Sequence, residues 1–112
     1  MGTKLYQLTQ LEELAGGDQE FVKSMVETFL EHTPGQLQDM LDNYEKGNLE
    51  QVGKIAHKIK PNMDLFGIAD LTETIREVEQ MGKAGDNSPE LGEKIKKAEK
   101  VLKEVFTQLQ EM

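Results

Sequence analysis

The chain has 112 residues and a mass of 12.7 kDa, enough for one hydrophobic core and not for two. Its 37% hydrophobic and 30% charged residues contain no apolar run near the roughly 18–20 residues of a membrane span, which excludes a membrane-embedded protein, and a net charge of −8 repels phosphate backbones and argues against nucleic-acid binding. The lack of cysteine removes disulfides, thiolate metal sites and a thiol nucleophile, and the opening MGTKLYQLTQ has no apolar signal core, so the expected compartment is the cytoplasm.

Apolar residues recur at three- and four-residue intervals with no alternating stretch, which predicts an all-α protein. A short first helix is signalled by Thr9 with Glu12 three residues on, a capping box, and carries Leu8, Leu11 and Leu14 before Gly16-Gly17 stops it. Asp18 caps a long segment with Phe21, Val22, Met25, Val26, Phe29, Leu30, Leu37, Met40, Leu41 and Tyr44 in helical period, ended by Gly47, with a kink or short break expected at Pro34. Asn48 and Gln51 form the next capping box, and a third helix runs through Leu49, Val52, Ile55, Ala56, Ile59, Met63 and Phe66 to Gly67. Asp70 with Glu73 opens a fourth, with a stripe of Leu71, Ile75 and Val78 and with Gly82 and Gly85 closing it. Ser88-Pro89 starts the last, which carries Leu91, Ile95, Ala98, Leu102, Val105, Phe106 and Leu109. Short connections make consecutive helices antiparallel, so the expected architecture is a single domain over residues 1–112, an antiparallel up-down four-helix bundle with the first helix covering one end.

One residue fits no packing role. In the third helix His57 points roughly 150° away from the apolar stripe and therefore faces water. Its stripe neighbours are Gly53, Lys54, Lys60 and Pro61, and the segment from Leu49 to Phe66 holds three lysines against Glu50 and Asp64. That segment is net +1, leaving −9 on the rest of the chain. An exposed imidazole with a pKa near 6.5 is mostly neutral at pH 7, and its free ring nitrogen can attack phosphorus. Lys60, and Lys54 on the other side, are placed to meet the charge of a phosphoryl group, while Gly53 keeps the approach low. Composition alone reads the same histidine as part of a solvated helix face.

The stretch AHKIKPNMDLFGI, from Ala56 to Ile68, resembles the signature of the histidine-phosphotransfer (HPt) domain, in which a histidine is followed by lysine at +3 and glycine at +10; His57, Lys60 and Gly67 match. LEELAGGDQEFVKSMVETFLEHTPGQL is similar to the family's opening, so the resemblance covers nearly the whole chain. It implies a helical bundle that takes a phosphoryl group on an exposed histidine from an aspartyl phosphate of a receiver domain and passes it to another receiver. The implied partners are response-regulator receivers and an upstream hybrid histidine kinase. The implied chemistry needs no cofactor on this chain, the Mg²⁺ being carried by the receiver. A monomer is expected. Docking is expected over Gly53, Lys54, Lys60, Pro61 and Asp64, and Lys60→Ala is expected to slow transfer while leaving folding almost unchanged.

Pro61 departs from the family pattern, which commonly has glycine at +4 from the histidine. Proline there removes the amide that would bond the His57 carbonyl, so a kink beside the nucleophile is expected. Asp64, two turns from His57 and about 10 Å along the axis, lies beyond the roughly 8 Å screening length and should act weakly. Rival classes fare worse. There is no phosphate-binding glycine loop for a kinase, and His32 lies 25 residues from His57 in no metal-binding pattern. Asp42 to Gly47 lacks the oxygen ligands of a calcium loop, and Ser88 before Pro89 reads as a helix cap and not a carrier serine. A non-catalytic helical adaptor is the remaining alternative, separated only by the chemistry of His57.

Overall fold

The structure, a computed structural model, describes residues 4–111. Five helices follow in order: α1 (Thr9–Ala15), α2 (Gln19–Glu45), α3 (Leu49–Leu65), α4 (Ala69–Lys83) and α5 (Pro89–Gln110). The four long helices are linked by short turns and pack as a ring in which each touches the next and α5 closes on α2, giving the expected up-down bundle. α1 packs on α2 and buries Leu11.

The core follows the periodic positions. Met40, Ile59, Met63, Ile75 and Leu102 are fully buried, each such side chain contributing about 1.5–3 kcal/mol relative to exposure. Phe29 of α2 stacks on Phe66 at the end of α3 with centroids 4.3 Å apart, and Phe106 of α5 joins them at 5.7 Å. The segment before α1 crosses this end of the bundle. Tyr6 is buried, the Leu5 amide donates to Gln108 Oε1 at 2.9 Å, and the Gln7 amide donates to the Phe66 carbonyl at 3.0 Å. The cover at this end is thus an extended strap as well as a helix.

Helix boundaries depart from the expected caps where burial decides. Asp18 does cap α2, its Oδ1 accepting from the amides of Glu20 and Phe21 at 3.0 and 3.3 Å. Thr9 is instead the first residue of α1, with Leu8 in the cap position because its side chain packs against the core. Likewise α4 starts at Ala69 behind a fully buried Ile68, ahead of the Asp70 expected to open it. Asn48 holds the cap position of α3, but its side-chain amide donates to Asn43 Oδ1, tying the start of α3 to the end of α2. Ser88 stands before Pro89 as expected, though it is Asp86 that accepts the Ser88 amide. Pro34 neither breaks nor ends α2, which runs unbroken over 27 residues, so His32 lies in mid-helix, exposed, and not at a helix end. α3 likewise continues through Pro61 to Leu65.

Gly67 closes α3 in the left-handed region at φ +57°, with its amide on the Asp64 carbonyl and the Ile68 amide on the Met63 carbonyl. A Cβ there would also sit 2.6 Å from the Gln7 carbonyl oxygen of the strap, whereas Gly85, with φ +67°, has open space around it. Gly85→Ala should therefore cost only the left-handed strain, about 1 kcal/mol, and Gly67→Ala distinctly more, as read by urea denaturation.

Candidate functional site

α3 and α4 are the most intimately packed pair in the bundle, and the site lies across them. His57 stands on the outer face of α3 with 62% of its side chain exposed. It is not a free solvated ring. Its Nδ1 lies 2.6 Å from Glu79 Oε2 of α4, a carboxylate whose side chain is only 7% exposed. Lys60 Nζ donates to Glu79 Oε1 at 2.8 Å, and Lys83 Nζ, from the last turn of α4, donates to Glu79 Oε2 at 2.8 Å.

The electrostatics follow from this geometry. Burial raises the pKa of a carboxyl, but here the ammonium of Lys60 and then that of Lys83 outweigh it, with the His57 hydrogen bond adding to them, and Glu79 is held at about 2 against an ordinary 4.5. Glu79 is therefore ionised at neutral pH and can only accept, so the Nδ1 of His57 carries the ring proton. In the neutral imidazole the lone pair then lies on Nε2, the nitrogen turned away from Glu79. A carboxylate with about four lone-pair positions takes three donors, which is how a buried charge is kept between these helices.

The expected site residues divide. His57 and Lys60 come together through Glu79. Lys54 is exposed and pairs with Glu50 at 3.5 Å along the same helix. Pro61 and Asp64 are exposed on α3, and Gly67 serves the turn that ends it. Gly53 is a correction: it is buried and cannot be part of an open docking face, because its Cα lies against the backbone of α4, where an added Cβ would be 2.9 Å from the Lys83 nitrogen. The expectation for Lys60→Ala also changes, since Lys60 is half-buried on a buried carboxylate; its loss should cost more than the about 0.5 kcal/mol usual at exposed positions. Glu79 and Lys83 escaped the sequence reading. The available signal was Glu79 itself, an acidic residue eight positions after Leu71 and directly after Val78, at the edge of the buried stripe of its helix.

A family model for the Hpt domain matches residues 24–112. The chain belongs to the Hpt domain family. Hpt domains take part in histidine-containing phosphotransfer in two-component systems and interact there with receiver domains and kinases. No curated protein and no solved structure matches the chain. Among the described residues of this Hpt domain, no helix is long and apolar enough to cross a membrane.

The ionisation of Glu79 links the site to stability. Its folded pKa lies below its unfolded one, so its contribution is complete above about pH 4.5 and is lost as pH falls towards about 2. In paired urea titrations, the stability difference between the wild type and Glu79→Gln should shrink as pH falls from about 4.5 towards about 2.

Proposed function

We propose that His57 is the phosphoacceptor of this Hpt domain and that the protein is a relay intermediate, taking the phosphoryl group from a receiver aspartyl phosphate and returning it to a second receiver. The observation that supports this reading best is the 2.6 Å hydrogen bond between His57 Nδ1 and Glu79 Oε2. It holds the proton on the inner nitrogen and leaves the outer one nucleophilic. Attack of the Nε2 lone pair on phosphorus breaks the bond to the aspartyl oxygen, and the aspartate leaves as a carboxylate. The ring now carries positive charge, which the ionised Glu79 faces at hydrogen-bond distance. In the onward step the ring departs as a neutral imidazole, its Nδ1 proton never having moved.

Lys60 and Lys83 have a double task in this reading. Each ammonium has three donors and spends one on Glu79, leaving capacity for phosphoryl oxygens at Nε2. Glu79 with the two lysines sums to +1 beside a neutral His57, a local field suited to an arriving dianion on a protein of net charge −8. Docking covers the exposed face around His57, including Lys54, Pro61 and Asp64, and the rigid ring of Pro61 beside the nucleophile shapes what fits there. The receiver brings Mg²⁺ and the carboxylates that hold it, and an upstream hybrid histidine kinase brings the ATP site, so this chain acts without one, in the cytoplasm. An adaptor that binds by its surface alone has no use for a buried carboxylate tied to an exposed histidine, since burying that charge is costly.

Incubation with a phosphorylated receiver and Mg²⁺ should give the wild type an acid-labile, alkali-stable phosphoryl group, read by intact mass, and His57→Gln should gain none. Persistent labelling of His57→Gln would sink the assignment. Lys60→Ala should be labelled at the same residue but about tenfold more slowly, or worse, with transfer timed from several receivers.

A further inference from the structure

Two glycines bring α3 and α4 together at one point. A Cβ built on Gly82 would lie 2.6 Å from the Gly53 nitrogen, 2.7 Å from the Gly53 Cα and 2.7 Å from the Leu49 carbonyl oxygen. One built on Gly53 would lie 2.9 Å from the Lys83 nitrogen and 3.1 Å from the Glu79 carbonyl oxygen. Every one of these neighbours is backbone, so no side chain can swing aside to make room. The two helices meet main chain to main chain.

The contact has a fixed relation to the site. His57 is four residues after Gly53 on α3, about 6 Å along the axis, and Glu79 is three residues before Gly82 on α4, about 4.5 Å along it. Because the helices are antiparallel, both displacements point the same way, and the His57–Glu79 hydrogen bond stands one turn above the glycine contact. Lys83, next to Gly82, is carried by the same turn. The depth at which α4 lies against α3 therefore sets the distance between Nδ1 and the buried carboxylate.

We propose that the Gly53–Gly82 contact is a positioning device for phosphotransfer, holding α4 close enough for Glu79 to fix the tautomer of His57; this rests on His57 being the phosphoacceptor. A histidine side chain in water prefers its proton on Nε2, the wrong nitrogen for attack, so the preference is reversed only while Glu79 stays within reach. A methyl group at position 82 must move from 2.6 Å to beyond 3.4 Å from the facing backbone to reach ordinary contact, and the helices part by that route. The His57–Glu79 bond then lengthens, and the ring returns towards the tautomer mixture of a solvated histidine.

The test uses Gly82→Ala, with Gly53→Ala as the milder variant should Gly82→Ala not fold, and Gly35→Ala, where open space surrounds the added Cβ, as control. Long-range ¹H–¹⁵N spectra of the His57 ring at alkaline pH report the tautomer without any partner, and labelling from a phosphorylated receiver reports transfer. The proposal expects wild type and Gly35→Ala to show a protonated Nδ1. The folded glycine-pair variant should shift towards protonated Nε2 and transfer roughly ten- to a hundredfold more slowly. A folded variant with wild-type ring shifts would overturn the proposal, and so would shifted ring signals with an unchanged rate. Because the ring spectra need no phosphate, a failure here is distinct from labelling that persists in His57→Gln.

Discussion

Everything at this site depends on one buried negative charge. Glu79 sits between α3 and α4 with three donors on its two oxygens, and each donor gives the charge a different consequence. Lys60 and Lys83 hold its pKa down against the burial that would raise it. His57 uses the charge they maintain. An exposed histidine on a helix is ordinarily free to turn and to exchange tautomers; this one is held from behind by a rigid element and offers only its outer nitrogen. In the relay proposed above, the bundle supplies this orientation together with the field of Lys60 and Lys83, and the partner supplies metal and leaving group.

The long-range architecture was legible in the residues because helical period, turn glycines and proline positions agree with one another. Failures at the boundaries have a common cause. Leu8 and Ile68 occupy cap positions in place of a hydroxyl or carboxylate because each is an apolar side chain with a place in or against the core, and burial of that size outweighs a cap bond of about 1 kcal/mol. Pro34 left α2 whole for a related reason: Thr33 and Leu37 on either side are buried, and packing holds a helix that local propensity would interrupt.

The site was only half legible. His57 and Lys60 share one helix, so their spacing is written in adjacent residues, whereas Glu79 and Lys83 reach them across a helix pair from 19 to 26 positions away. Periodicity says which face of a helix is buried but not which residue of the neighbour stands opposite it. Gly53 was misread on the same account. Beside a histidine, a small residue suggests room for a partner protein; in the fold that room is filled by the backbone of α4. The positive charge beside His57 is not confined to α3, since Lys83 belongs to the adjoining helix.

In the proposed relay the outer ring nitrogen of His57 receives the phosphoryl group while the inner one keeps its proton, hydrogen-bonded to Glu79. This is tested most directly by ³¹P–¹⁵N correlation on the freshly phosphorylated, ¹⁵N-histidine-labelled protein, which identifies the nitrogen bonded to phosphorus. Phosphorus is expected on Nε2 of His57, with a protonated Nδ1. Phosphorus on Nδ1, or on any residue other than His57, would contradict it.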